Sequence, residues 1–173
     1  NQIKDAGVIA LADACAKGAL ASLTVLSLEE NEIGNAGCTA FADTCASVKG
    51  ALTSLQTLWL NYNQLGDAGV MALADACAKG ALAKCTSIYI DGNPASLESQ
   101  HAVKDALKRR WLDGEFLATH FKDATSLNMS DMKWGDIEMT KLAAALDYCH
   151  AKGALTSLKE LHLNSNEVGD AGV

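Results

Sequence analysis

Aromatic side chains are scarce in this 173-residue chain, at 5%, which excludes an interior built around large rings. With 49% apolar residues, the core has to be assembled from Leu, Ala, Val, Ile and Cys, side chains that suit closely stacked layers better than one round interior. Positive charge is also in deficit. Lys and Arg number 14 against 21 Asp and Glu, a net charge of −7, and such a surface repels the phosphates of nucleic acid and of anionic lipid. No apolar run approaches the roughly 20 residues of a membrane helix, so direct membrane insertion is not expected. Neither a signal peptide nor an initiator Met opens the chain, which starts Asn1-Gln2-Ile3-Lys4-Asp5 and so reads as a piece of something longer.

The motifs that carry chemistry are missing too. Without C-x-x-C or H-E-x-x-H, spacing offers no structural zinc or metalloprotease site, and there is no glycine-rich phosphate loop. His101, His120, His150 and His162 are scattered, and no Ser/His/Asp or Cys/His grouping follows from their spacing. No catalytic residue, metal ligand or cofactor is expected. Among the six cysteines, Cys15, Cys45, Cys77 and Cys149 fall at near-equivalent places on successive helices. Such positions lie about 10 Å apart, beyond the roughly 7 Å Cα limit of a disulfide. They read as small buried hydrophobes of an intracellular, reducing compartment, cytoplasmic or organellar. In that setting the glycosylation acceptor Asn128-Met129-Ser130 is a coincidence.

What the chain has is a repeat. The template L-x-x-L-x-L-x-x-N-x-[LIV]-G appears as Leu23, Leu26, Leu28, Asn31, Ile33, Gly34 and as Leu55, Leu58, Leu60, Asn63, Leu65, Gly66. A third copy holds Cys85, Ile88, Ile90 and Asn93, a degenerate fourth Ala124, Leu127, Met129, Met132, Trp134 and Gly135, and a fifth Leu158, Leu161, Leu163, Asn166, Val168 and Gly169. Anchors 26, 58, 88, 127 and 161 are separated by 32, 30, 39 and 34 residues, a series that marks one repeated structural unit.

A second piece follows each template, as in Asp67-Ala68-Gly69-Val70. Asp5, Asn35, Asp67, Asp136 and Asp170 are expected as N-caps. Gly69, Ala72, Leu73, Ala76 and Cys77 then share one helical face. Lys17-Gly18, Lys49-Gly50, Lys79-Gly80 and Lys152-Gly153 are stop signals, a cation against the helix C-terminus before a residue that tolerates the left-handed region. Lys104, Lys108, Arg109 and Arg110 are expected on a solvated face opposite Val103, Leu107 and Trp111.

Each unit is thus one short strand and one helix of about three turns. A unit this small buries its apolar edge only by stacking on its neighbours. Strands stack at about 4.8 Å and helices at about 8–10 Å, so the stack is expected to curve with the strands inside. One array of about five units over 1–173 is expected, irregular around 97–123. The chain begins and ends in the same phase of the unit without a polar cap, so the array is expected to continue in both directions or to be covered by neighbouring subunits.

These residues resemble the leucine-rich-repeat superfamily, specifically its ribonuclease-inhibitor-like branch, over essentially the whole chain except 97–123. The resemblance implies an α/β fold, a right-handed horseshoe solenoid with parallel strands on the concave face and α-helices on the convex face. It also implies that Asn31, Asn63, Asn93 and Asn166 form a ladder satisfying loop backbone groups, broken at Met132.

Alternation along each strand places on the concave side Val25, Ser27 and Glu29; Thr57, Trp59 and Asn61; Ser87, Tyr89 and Asp91; Ser126, Asn128 and Ser130; Glu160, His162 and Asn164. The central row, Ser27, Trp59, Tyr89, Asn128 and His162, carries two rings suited to anchoring a partner. Glu29, Glu30, Asp91, Asp131 and Glu160 tilt this face acidic, favouring a partner with basic groups. A second, rim contact is expected at Phe116, His120 and Phe121. There, ten steps separate Gly114, read as a helix end, from Ala124, against five in the regular units, so a loop insertion is expected. The function expected is a protein-interaction scaffold or a subunit of a large complex, with a regulatory region of a GTPase activator or innate-immune-type sensor as the alternative. Inhibition of a basic enzyme such as a ribonuclease fits the acidity but no specific residue.

Overall fold

A computed structural model describes residues 2–48, 50–130 and 132–169, and the readings that fall on Lys49, Asp131 and Asp170 lie outside them. The elements run α1 (Lys4–Ala16), β1 (Val25–Ser27), α2 (Asn35–Ser47), β2 (Thr57–Trp59), α3 (Asp67–Ala78), β3 (Ser87–Tyr89), α4 (Leu97–Arg110), α5 (Gly114–His120), β4 (Ser126–Asn128), α6 (Asp136–Ala151) and β5 (Glu160–His162). They form two compact units, residues 1–107 and 108–173.

In the first unit β1, β2 and β3 are parallel neighbours, with Leu26 beside Leu58 and Leu58 beside Ile88. The repeat sets this register, because inward side chains of successive strands share one core layer and a slip by one residue would turn them all out. Leu58 is fully buried and Ile88 nearly so, while Leu26 packs against the same core from a half-buried position. Val8, Ala12, Cys15, Phe41, Leu73 and Cys77 close that core from the helices. On α3 the expected face is inward: Gly69, Leu73, Ala76 and Cys77 are buried and Ala72 packs beside them.

Lysine followed by glycine ends these helices by a reciprocal pair of bonds. Gly18 N–H donates to the Cys15 carbonyl at 2.9 Å and Ala19 N–H to that of Ala14 at 3.1 Å. Gly80 and Ala81 repeat this on Cys77 and Ala76, each at 3.0 Å. Both glycines are left-handed, with φ of 87° and 91°, a conformation that is costly for a residue with a Cβ.

The N-terminal expectation is corrected. Asn35, Asp67 and Asp136 are the first helical residues rather than the caps, which are Gly34, Gly66 and Gly135. Their side chains instead accept from the start of the following helix, one repeat away. Asp5 Oδ1 accepts from Gly34 N–H at 2.6 Å, Asn35 Oδ1 from Gly66 N–H at 2.8 Å and Gly69 N–H at 3.0 Å, and Asp67 Oδ1 from Ser96 N–H at 2.7 Å. Asp136 does the same for Gly169 at 2.7 Å. The glycine of Asp-Ala-Gly follows from this arrangement. A Cβ on Gly69 would sit 2.8 Å from Asn35 Oδ1 and 3.1 Å from its Cα, and one on Gly37 only 2.6 Å from Asp5 Oδ1.

The ladder implied by the family resemblance is present on the other edge. Asn63 Oδ1 accepts from the N–H groups of Asn31 and Ile33, both at 3.0 Å, and its Nδ2 donates to the carbonyls of Leu28, Leu60 and Asn61. Asn93 reaches Leu65 N–H and the Leu60 carbonyl in the same way, and Asn31 reaches Ile3 N–H. Each amide satisfies backbone groups that the tight loops leave unpaired.

In the second unit β4 and β5 are parallel, with Leu127 beside Leu161. Their core holds Trp111, Leu117, Leu127, Met129, Trp134, Leu142 and Cys149, with Leu161 packed against it. Asn166 accepts from Trp134 N–H at 3.1 Å and donates to Met129, the same amide contact. The expected loop insertion is instead a helix. Gly114 opens α5 rather than ending α4, because Asp113 caps the new helix by accepting from Phe116 N–H at 3.0 Å. Gly114 also lets α5 approach α6, since a Cβ there would lie 2.7 Å from Tyr148 Cβ and 3.0 Å from the Ala145 carbonyl. Among the basic residues expected on a solvated face, Lys104 and Arg109 are exposed and Lys108 half-buried. Arg110 is buried, its guanidinium carbon 5.8 Å from the centre of the Phe116 ring.

Candidate protein-binding face

With Leu26, Leu58 and Ile88 turned to the helices, the alternate residues occupy the open face of the first sheet. Val25 and Ser27 are exposed, Thr57, Trp59 and Ser87 half-buried, and Tyr89 exposed. The ladder continues past the strand ends: Leu28 N–H bonds the Trp59 carbonyl at 2.9 Å, Glu30 N–H that of Asn61 at 3.1 Å, and Tyr62 N–H that of Asp91 at 2.9 Å. Glu29, Asn61 and Asp91 therefore stand side by side as a second row, one step along the strands from Ser27, Trp59 and Tyr89.

Trp59 and Tyr89 are stacked, with ring centres 4.1 Å apart and planes inclined by 18°. Stacking locks both rings into one rigid plate and contributes about 0.5–1.5 kcal/mol beyond burial. On the other side of Trp59 the neighbouring strand position is Ser27, whose hydroxyl donates to Glu29 Oε1 at 3.4 Å. Asn61 Oδ1 is buried with no hydrogen-bond partner. Neither Glu29 nor Asp91 has an ion pair among the described residues.

The central row expected across five strands is divided: Ser27, Trp59 and Tyr89 lie in one sheet, and Asn128 and His162 in the other. In that second sheet Asn128 and His162 are adjacent and exposed. Glu160 Oε2 lies 3.6 Å from His162 Nε2, and Ser130 donates to Asn164 Oδ1 at 2.7 Å. Asn128 Oδ1 is turned back onto Ser130 N–H at 3.0 Å. These are small polar contacts with no aromatic anchor.

Phe116, His120 and Phe121 come together in the second unit. Phe116 and His120 have ring centres 4.5 Å apart, Phe116 and Phe121 6.1 Å, and Phe121 packs 4.9 Å from Trp111. All three are half-buried, and Phe121 belongs to the shell of the core, so this cluster mainly closes the unit around α5.

One surface ring escaped the sequence reading. Tyr62 is 64% exposed with a left-handed φ of 53°, and its ring lies where a side chain on Gly92 would be, Cε1 2.7 Å from that Cβ position. A glycine one repeat above an aromatic at the same template position was the available signal.

All six cysteines are buried and none is in a disulfide. Burial pushes the thiols of Cys38 and Cys45 up to about 12, with a smaller effect of nearby negative charge, Asp5 beside Cys38 and Cys15 beside Cys45. Backbone and then side-chain hydrogen bonds from Ser96, and one from the Ser99 hydroxyl, hold the Asp67 carboxyl below the ordinary carboxylate range. No His, Cys, Asp and Glu cluster that would hold a metal ion occurs among the described residues. None of the helices described is long and apolar enough to cross a membrane.

Compared with known families, residues 19–42, 51–74 and 154–173 match the model described as Leucine Rich repeat. A search of the curated proteins finds no match. The matched segments hold the first, second and fifth templates, whereas the third, with Cys85 for its first leucine, and the fourth, with Met132 for its asparagine, lie outside them.

Proposed function

We propose, for what is a leucine-rich-repeat protein, that the open face of its first sheet is a binding surface for another protein and that the chain acts as an interaction scaffold or complex subunit. Repeats of this family generally mediate protein–protein interaction. The observation that carries the proposal here is the Trp59–Tyr89 stack. A rigid aromatic pair on a sheet face loses little side-chain entropy on binding and offers a large apolar area, the properties of an interface anchor.

Finer assignments are part of the same proposal. We place the chain in the ribonuclease-inhibitor-like branch because α1, α2, α3 and α6 are full helices of 12–16 residues. Within each unit by itself we infer a right-handed leucine-rich-repeat arrangement, since parallel strands pack more closely than the helices behind them. Six buried cysteines, none of them in a disulfide, support a reducing, intracellular setting.

Changing Trp59 and Tyr89 together to Ala tests the reading. Partner capture by the tagged chain falls by about tenfold or more, as for loss of a central anchor, while circular dichroism and the melting profile stay nearly unchanged. Unchanged capture, or parallel loss of folding and capture, contradicts it.

A further inference from the structure

The aromatic plate has a polar margin whose chemistry narrows the partner. Resting on the binding-face reading, we infer that this margin receives an arginine side chain of the partner protein, its guanidinium held by Glu29, Asn61 and Asp91 with its plane or stem against Trp59.

Complementarity is the first ground. Glu29 and Asp91 are exposed carboxylates without a cation among the described residues, and Asn61 stands between them in the ladder. Glu29 and Asp91 therefore present oxygen acceptors at the surface. The second ground is the buried, unpartnered Oδ1 of Asn61. A buried acceptor without a donor costs about 1–3 kcal/mol, a cost that an incoming N–H removes once the half-buried Asn61 side chain turns its oxygen outward. The third is Trp59 itself, half-buried between the stacked ring of Tyr89 and the small, exposed Ser27 of the neighbouring strand. A cation over an exposed tryptophan gains about 0.5–1 kcal/mol, and more as water is excluded.

Arginine meets all three conditions at once. Its guanidinium carries five N–H donors in one plane, bridges adjacent oxygens and stacks flat on a ring, whereas an ammonium is a compact and strongly hydrated point charge. An acidic segment would meet Glu29 and Asp91 as like charges, and a purely apolar one would bury them unpaired.

The test titrates the chain with a short glycine-spaced peptide holding two arginines, against the same peptide with lysine, with citrulline and with glutamate. Tryptophan emission is followed, because Trp111 and Trp134 are buried and Trp59 is the accessible indole. The arginine peptide is expected to give a saturable change that salt weakens, about tenfold weaker with citrulline and weaker with lysine. Glu29→Gln with Asp91→Asn is expected to weaken arginine binding severalfold with an unchanged melting profile. Equal binding of arginine and citrulline peptides, preference for lysine or glutamate, no saturable change, or an unaffected double variant overturns the inference. In the capture assay, loss with the Trp59 and Tyr89 variant but not with the Glu29 and Asp91 variant removes the arginine and leaves the binding face; loss with neither removes both.

Discussion

Replacing Gly69 with Ala tests how tightly successive helices are coupled at their N-termini. In an isolated helix this change stabilises by about 1 kcal/mol, because Ala forms helix better than Gly. Here the new Cβ would lie 2.8 Å from Asn35 Oδ1, 3.1 Å from Asn35 Cα and 3.2 Å from Cys38 Cβ. The amide oxygen is held by Gly66 and Gly69 N–H groups, and the Cα is backbone, so relief requires the two helices to separate. Overpacking of this kind costs about 1–3 kcal/mol, and two weakened hydrogen bonds add about 1 kcal/mol each. The net expectation is a loss of about 2–4 kcal/mol once the helix-propensity gain is subtracted. Urea unfolding followed by circular dichroism reads this as a lower midpoint at an unchanged slope. Combined with Asn35→Ala, the loss should be smaller than the sum of the two single changes by at least about 0.5 kcal/mol. A neutral or stabilising Gly69→Ala, or strict additivity with Asn35→Ala, would refute the close approach.

Asn63→Ala orphans the N–H groups of Asn31 and Ile33 and should cost about 2–4 kcal/mol in urea unfolding. Asn166→Ala orphans only that of Trp134 and should cost less. Because the folded Asp67 carboxyl titrates below its unfolded value of 3.8, its contribution is fully present above that value and is lost as pH falls through the lower folded one. The difference in stability between the native chain and Asp67→Asn should therefore be constant near neutrality and shrink on acidification below about pH 4, and a difference independent of pH down to acid unfolding would contradict the bonding seen at Ser96 and Ser99. With Cys38 and Cys45 pushed up to about 12, these thiols should resist a disulfide reagent at pH 8 until denaturant is added, and their rapid modification in the folded chain would show that the stack opens.

The strands were legible because inward leucines of adjacent units must meet at one level, which is why Leu26, Leu58 and Ile88 lie in register. The asparagine contacts were legible only through family resemblance, since nothing in the spacing tells an amide from any other small polar group. Asp5, Asn35, Asp67 and Asp136 were misread as caps of their own helices because their acceptors serve donors one repeat onward, a distance at which local capping rules have no content. Gly114 was misread for the opposite reason. A glycine suggests a helix end, but Asp113 before it supplies an N-cap oxygen, and local chemistry decides. The longest anchor interval, from 88 to 127, spans the division between units at 107 and 108, but spacing alone did not show that the row of strands would fall into two sheets. On the binding face, alternation gave the right side for Trp59 and Tyr89, whereas the stack and the unpartnered Asn61 oxygen depend on rotamers that no pattern encodes.

Whether the open sheet face meets the partner is measured most directly by a photo-activated crosslinking residue placed at exposed Ser27, compared with the same residue at exposed Asp75 on α3. Irradiation of the native assembly should yield a covalent adduct with another protein from the Ser27 position and none from Asp75. Adducts from the helix position alone would contradict the account.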